Sequence, residues 1–373
     1  MIKQFDEVFV DKTRLGKKIP KEEYKKKGKY IIIDQGKDKI AGFTNNEDGI
    51  FTDVPTIIFG DHTRIIKYID KPFFLGADGV KVLKSKINNA NYKYLYYALK
   101  AAYIPNTGYN RHFKWLKKVS INYPSFEKQK RIVKLLDNLS EVKNKKNEEL
   151  KLCDTLIKAR FVEMFGDPLR NDRTWPISKL KLLTTKIGSG ATPKGGKQSY
   201  KKEGITLVRS MNVHDGEFVY KDLAYIDTAQ AHDLDNVELQ PKDVFINITG
   251  ASVARSCVIP DNILPGRVNQ HVAIIRCKEN LLNYIFLNRL FLNSSFKQKL
   301  LAMGQAGGAT RQALTQEQLK KLNLILPPIE LQNEFASFVQ QVDKSKVVNA
   351  SIMKYIISIR FYLYFKENKE GAR

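Results

Sequence analysis

The chain has 373 residues, 43% hydrophobic and 27% charged, and its 63 Lys and Arg against 39 Asp and Glu leave a net charge of +24. Such a hydrophobic share excludes wholesale disorder, the length suits two domains of ordinary size, and the positive excess favours a polyanionic partner, DNA or RNA. Three scattered cysteines, Cys153, Cys257 and Cys277, exclude a disulfide framework or a CxxC zinc site and fit a reducing cytoplasm.

In chain order, Met1-Ile-Lys-Gln-Phe-Asp-Glu lacks the character of a signal peptide, and no apolar run reaches membrane-spanning length. Residues 1–122 alternate short β-like runs with turns: Tyr30-Ile-Ile-Ile, Thr56-Ile-Ile-Phe and Val80-Lys-Val-Leu are predicted strands. Asp34-Gln-Gly-Lys-Asp and Gly76-Ala-Asp-Gly supply turn chemistry, and Tyr92 to Ala102 is predicted helical. Pro124 punctuates the chain, and Phe126 to Phe165 reads as a single helix uninterrupted by Pro or Gly. Its apolar seam, Ile132, Leu135, Leu139 and Val142, breaks at Lys143 to Glu149 and resumes at Leu150, Cys153 and Ile157 in a shifted phase. Trp175-Pro opens a second β-rich segment with strands at Thr206-Leu-Val-Arg, Asp243-Val-Phe-Ile-Asn-Ile and Val272-Ala-Ile-Ile-Arg-Cys. Leu281 to Leu300 is helical by pattern, Gly304 to Gly308 is a glycine-rich loop, and Arg311 follows it. The last helix carries Phe335, Phe338, Val342, Ile352, Ile356 and Ile359 at alternating 3–4 spacing, with only Ser345 and Asn349 polar at its centre.

The chain repeats itself. Pro124, Glu127 and Gln129 recur 203 positions later as Pro327, Glu330 and Gln332, while Arg160-Phe161 and Phe165 recur as Arg360-Phe361 and Phe365. Gly108-Tyr-Asn-Arg111 aligns with Gly308-Ala-Thr-Arg311, and Leu116-Lys-Lys with Leu319-Lys-Lys. Both long helices are polar in the middle and apolar toward the ends, so pairing them antiparallel matches middle to middle. The plainer alternative is two amphipathic helices, each packed on its own domain. The expected division is 1–122 and 167–325 for two globular domains, with 123–166 and 326–373 for the helices between and after them. A pseudo-two-fold, strongly basic chain points to a reader of two-part DNA sites.

Catalytic constellations are absent from the sequence. Gly188-Ser-Gly-Ala-Thr-Pro-Lys-Gly-Gly-Lys197 has the wrong spacing for a phosphate loop and no Ser or Thr after its Lys. No Asn-Pro-Pro-Tyr or Asp-Pro-Pro-Tyr element is present, and Asp61-His62 has no companions to complete a metal set. What remains is recognition chemistry. Lys17, Lys18, Lys25, Lys26 and Lys27 are candidates for neutralising phosphates, against the plainer reading of a solvated lysine surface. Asn106, Thr107, Tyr109, Asn110, Arg111 and His112 mix amide, hydroxyl, aromatic and guanidinium groups on one glycine-bearing loop, and these groups pair with base edges. In the second segment Arg209 and Asn212, then Thr249, Ser252 and Arg255, then Gln270 beside His271, offer the same chemistry near strand ends. Arg64, Arg311, and Ser189, Thr192, Lys194 and Lys197 of the basic loop complete the candidates. Thr249-Gly250 as a hairpin turn and Asn269-Gln270 as a strand cap are the plainer readings.

These residues in this order resemble the specificity subunits of Type I restriction-modification systems. The resemblance spans nearly the whole chain. It rests on Tyr30-Ile-Ile-Ile-Asp-Gln-Gly-Lys-Asp-Lys-Ile-Ala-Gly, Ile58-Phe-Gly-Asp-His-Thr-Arg64 and Ala77-Asp-Gly-Val-Lys-Val-Leu83 in the first segment. In the second it rests on Trp175-Pro, Gly188-Ser-Gly-Ala-Thr-Pro, Asn247-Ile-Thr-Gly-Ala-Ser-Val-Ala-Arg255 and Arg267-Val-Asn-Gln-His, joined by the repeated Pro-x-x-Glu-x-Gln. It implies an α+β chain of two target recognition domains, separated by two long helices forming an antiparallel coiled coil. It implies further that each domain reads half of a bipartite double-stranded DNA target, with the helices setting the gap. The chain itself is then non-catalytic, binds no cofactor or metal, and resides in the cytoplasm away from membranes. Two modification subunits bring S-adenosylmethionine and methylate adenine, and restriction subunits bring ATP and Mg for translocation and cleavage. The competing expectations are a hidden enzymatic activity, and an RNA-binding or coiled-coil scaffold protein.

Overall fold

The computed structural model describes residues 1–76, 78–193, 195–305 and 312–369 and, within them, every side chain but those at 197, 349, 350 and 353–369. The candidates Lys194, Lys197, Arg311, Ile356 and Ile359, and the repeat partners Gly308 to Arg311, Phe361 and Phe365, therefore lie outside the described residues or side chains. The chain divides into two compact units, Met1–Asn147 with Ala350–Arg373, and Glu148–Asn349.

In the first unit, β-branched and aromatic runs pair into a four-stranded antiparallel sheet in the order Phe9–Asp11, Val80–Ser85, Thr56–Gly60, Ile66–Ile69. Its central strand Thr56–Gly60 is buried throughout, as its continuous apolar run requires. A three-stranded sheet runs Gly42–Thr44, Tyr30–Ile33, Phe73–Leu75, its last pair parallel. The bend at Asp34 to Lys39 joins the first two of these strands. A two-stranded ribbon pairs Ile2–Gln4 with Ser120–Asn122 and delivers the chain to the first long helix.

The second unit repeats this plan strand for strand. Its four-stranded sheet runs Thr184–Ser189, Val272–Cys277, Val244–Asn247, Ser256–Val258, again antiparallel. Its three-stranded sheet runs Ala224–Ile226, Ile205–Val208, Gly266–Val268, with the last pair again parallel, and its ribbon pairs Ile177–Lys179 with Asn323–Ile325. Only the short hairpin Val213–His214 with Glu217–Phe218 has no counterpart among the described strands of the first unit. Each unit also has a helix opened by the pair Asn-Tyr: Asn91 caps Tyr92–Ala101 and Asn283 caps Tyr284–Leu292, both through the side-chain oxygen. The helix expected over Leu281 to Leu300 is two helices, Tyr284–Leu292 and Ser294–Gln305. Asn293 takes an extended conformation between them, and its side chain accepts from Ser295 N at 3.1 Å to start the second.

The first long helix is Phe126–Phe165 and the second Ile329–Lys369. Gly166, at φ +73°, ends the first, its N–H donating to Val162 O at 2.9 Å, a left-handed stop that favours glycine. In the second unit the two helices run antiparallel. Phe161 and Phe165 lie 5.5 and 5.4 Å from Phe335, Arg160 pairs with Glu334 at 3.0 Å, and further along Lys346 pairs with Asp154 at 2.6 Å. Phe286 of the domain closes the aromatic cluster, 4.8 Å from Phe165. Each of these buried rings contributes about 2 kcal/mol of burial, and the edge-on pairs about 1 kcal/mol more.

The first helix meets its own domain through the buried Ile132, Val133 and Leu136, while Leu135 and Val142 are 38% and 41% exposed. The reason is tertiary: this stretch packs on its own domain, where Tyr97 donates to Asp137 at 2.6 Å and Lys93 pairs with the same carboxylate at 2.7 Å. Leu139 packs at the edge of that core. In the second helix Phe335 is fully buried, Phe338 and Val342 are partly buried against the second domain's core, and Ile352 is 38% exposed. Within the described side chains, both the pairing and the packing of each helix on its domain are realised.

Candidate DNA interface

In each domain three loops meet at one end of the four-stranded sheet, and identical backbone hydrogen bonds hold them there. In the first domain Asp61 N donates to Gly79 O at 2.7 Å, and His112 N donates to Asp61 O at 2.8 Å. In the second, Ile248 N donates to His271 O at 2.9 Å, and Leu314 N donates to Ile248 O at 2.8 Å. The loop after the third strand of the sheet order, the loop before the second, and the loop ahead of the ribbon are thus fastened together. This register equates His112 with Leu314, 202 positions on.

In the first domain side chains add to this backbone fastening. Gln35 accepts from His62 N at 3.1 Å, donates to Asp78 O at 3.0 Å, and lends its carbonyl to the Thr63 hydroxyl at 2.7 Å. Asp61, buried, accepts from Phe113 N at 2.7 Å. His112 is fully buried, with Nδ1 3.0 Å from Asp61 O and Nε2 3.3 Å from Thr107 Oγ1. Its ring holds the loop closed and offers nothing to a base, which corrects its place among the readers. The rest of that loop is exposed. Asn106 accepts from Gly108 N at 3.2 Å, Asn110 donates to Thr107 O, and Tyr109, 90% exposed, stacks on His62 with ring centroids 5.0 Å apart. Arg111 is exposed beside Asp78, whose carboxyl is held below its usual range first by the hydrogen bond from Lys18 and also by Arg111. Lys18 is therefore engaged with Asp78, and Lys17 with Asp48 at 3.1 Å. Lys25, Lys26 and Lys27 are exposed. Arg64 is half-buried and donates to Ile104 O at 3.1 Å.

In the second domain the three loops, together with the loop after Ile205–Val208, line an open cleft of about 650 Å³ with Ser210, Met211, Thr249, Ser252, Arg255, His271 and Gln312, among others. Thr249 Oγ1 and His271 Nδ1 are 2.5 Å apart, and Arg255 has no carboxylate partner among the described residues. Three separately noted sequence patches thus converge on one cleft. Asn212 and Arg209 serve the frame instead. Asn212 is fully buried and donates to Val219 O at 2.9 Å, while Arg209 donates to Asp222 O and covers the Tyr200 ring at 5.4 Å. Asn247, fully buried, donates to Ser210 O at 2.9 Å and so ties the loop after Ile205–Val208 to the cleft. Ser189 accepts from Gln316 at 3.0 Å, and Thr192 donates to the exposed Gln270. Gly190 answers to packing: a Cβ there would lie 1.7 Å from the Val268 carbonyl oxygen, so the chain passes only as glycine. Arg267, also from the motif, is buried and bound to Asp235 at 2.7 Å.

Gln35, Thr63, Ser210, Met211 and Gln312 were not among the residues proposed to meet DNA. Gln35 and Thr63 stand in stretches that carry the family resemblance, Ser210 and Met211 lie between the candidates Arg209 and Asn212, and Gln312 has no local signal. Burial pushes the Cys257 and Cys277 thiols up to about 12, so neither is a ready nucleophile. Among the described residues no group of three His, Cys, Asp or Glu is arranged to hold a metal ion, and no helix is long and apolar enough to cross a membrane. The exposed groups are hydrogen-bond donors and acceptors on a rigid frame, suited to reading base edges.

A family model described as the Type I restriction modification DNA specificity domain matches residues 2–152 and 173–354. The chain belongs to that family. The two matched stretches follow the two structural repeats. The specificity (S) subunit of the Type I restriction-modification system from M. genitalium has a similar crystal structure, with 16% identity, a TM-score of 0.60, and coverage of 99% of this chain and 95% of that one. A chain from a structure concerned with assembly and conformational transition of the Type I system is also similar, at 16% identity and a TM-score of 0.53, covering 91% of each chain. At such identity these structures bear on the fold, which is the two-domain specificity-subunit fold with long connecting helices, and DNA-target recognition is the function that the family carries.

Proposed function

We propose that this chain directs a Type I modification enzyme to a bipartite DNA target, one half read by each domain. The observation that carries this is the duplicated frame: two domains with the same strand order and the same loop-fastening hydrogen bonds, each presenting different polar groups at the same sheet end. Different readers on equal frames suit two unequal half-sites. The long helices set the unread gap. The chain is non-catalytic; two modification subunits carry S-adenosylmethionine and methylate an adenine in each half-site, and restriction subunits with ATP and Mg add cleavage. The assembly works in the cytoplasm, where its DNA is. Single-molecule methylome sequencing of a host expressing this chain with its modification subunit tests the reading. A two-part adenine-methylated motif that disappears without this chain is the expected result. Unchanged methylation with both proteins soluble and associated would sink it and favour the scaffold or RNA reading.

A further inference from the structure

The two domains differ in one place that the repeat predicts to be alike. In the second domain the outermost strand Ser256–Val258 is covered: Gly216 of the extra hairpin donates to Ser256 O at 2.8 Å, and Asn288 of the neighbouring helix donates to Ser256 Oγ at 3.0 Å. The equivalent strand of the first domain, Ile66–Ile69, has no hairpin over it among the described residues, and a groove of about 790 Å³ lies along it, bounded by the helix Tyr92–Ala101. That groove is basic. Lys67 and Lys93 on its wall are already engaged, with Asp34 at 3.4 Å and Asp137 at 2.7 Å. Lys37, Lys39, Arg64 and Lys100 also line it, and none has a carboxylate partner among the described residues. Tyr68 and Tyr96 lie between these cations, the Tyr96 hydroxyl accepting from Lys100 at 3.0 Å. Thr63 and Arg64 belong both to the groove and to the loop beside His62, so the groove leads directly from the reading end of the domain.

We infer that this groove is a phosphate track, holding the sugar-phosphate backbone of the DNA whose bases the first domain reads. The inference rests on the DNA-reading function proposed above and adds where sequence-independent affinity resides. Cations without a carboxylate partner among the described residues, spaced along an open trough with hydroxyls between them, match a repeating anion. The continuity through Thr63 and Arg64 favours DNA over an acidic protein segment. The track is assigned to the first domain, because in the second the hairpin lies against the equivalent edge strand.

The test uses the full chain co-purified with its modification subunit and a duplex of random sequence, titrated between about 50 and 200 mM salt. Replacing Lys37, Lys39 and Lys100 together with Gln is expected to weaken binding and flatten the slope of log affinity against log salt by about 2–3, since each phosphate contact contributes about 0.9. The matching triple Arg variant should keep the parent slope. A triple Gln variant with the parent slope overturns the track while leaving the DNA-reading function standing. Loss of the modification subunit at unchanged slope also overturns it and assigns the groove to an acidic protein surface. A parent complex that binds neither random DNA nor any methylated motif overturns the DNA reading itself.

Discussion

Gln129 and Gln332 make the same hydrogen bond at the start of the two long helices: each side-chain amide donates to a proline carbonyl five residues back, Pro124 at 2.9 Å and Pro327 at 2.8 Å. The repeated Pro-x-x-Glu-x-Gln is therefore a helix-entry lock. The two copies differ in what else they hold. Gln332 also accepts from Asn283 N at 2.9 Å and donates to Leu281 O at 3.2 Å, whereas Gln129 Oε1 has no partner among the described residues.

Gln332→Ala should accordingly destabilise the protein more than Gln129→Ala. The former removes three hydrogen bonds at a fully buried site, a loss of about 3 kcal/mol, and the latter one, a loss of about 1 kcal/mol. Denaturant unfolding of the two variants measures the difference, and equal losses would show that the extra bonds of Gln332 carry no weight.

At the polar centre of the helix pair, Lys346 reaches Asp154 at 2.6 Å and Asp343 at 2.9 Å, and Arg289 reaches Asp343 at 2.9 Å. Burial disfavours the Lys346 charge, but the hydrogen bonds it donates to the two carboxylates outweigh it and hold its pKa above the usual lysine value of 10.5. A raised lysine stabilises the fold fully below the unfolded pKa, and that contribution fades as pH climbs through the folded one. The stability gap between the parent and Lys346→Met should be on the order of 1 kcal/mol at neutral pH and should close above pH 10.5. A gap that persists at high pH would assign the effect to packing.

Arg255 lines the cleft of the second domain with no carboxylate partner among the described residues, and Arg111 is exposed on the candidate reading loop of the first. Removing either should weaken cognate binding by about 1–3 kcal/mol and blur one position of one half-site, a different half for each. Competition binding against scrambled DNA decides this. An equal loss on both duplexes would remove that arginine from the base readers.

The gap-setting role proposed for the helices makes a geometric prediction. A heptad inserted in both helices at their polar centres adds about 10 Å, enough to lengthen the methylated gap by about three base pairs. Methylome sequencing should return both half-sites unchanged. An altered half-site would contradict the separation of reading from spacing.

Much of this architecture is legible in the residues. The absence of Pro and Gly from 126–165 predicts a helix of that length, and the structure has it. Runs such as Thr56-Ile-Ile-Phe and Val272-Ala-Ile-Ile-Arg-Cys are strands where they are expected. Short strands such as Phe73–Leu75 and Gly266–Val268 leave too few residues for any periodicity to register, and they exist because a parallel neighbour completes their hydrogen bonds. The candidate site was half legible. The composition of the loops at 106–112 and 249–255 marked them as candidate recognition surfaces, but not which of their side chains the frame would consume.

Chain-local chemistry thus determined the duplication, the two helices, the basic character and the family, because periodicity, helix breakers and the recurring Pro-x-x-Glu-x-Gln act over a few residues. Tertiary structure alone decided that His112 and Asn212 turn inward while Tyr109 is exposed and Arg255 lines the cleft, that Leu136 packs on the domain core, and that a hairpin lies over the edge strand of one domain but, among the described residues, not of the other. Those outcomes depend on backbone groups far apart in sequence, such as Ile248 N and His271 O, meeting across a sheet end. Local residue patterns set which face of an element is apolar, but only the packed neighbour settles which polar groups are used up in the frame and which remain free to meet a ligand.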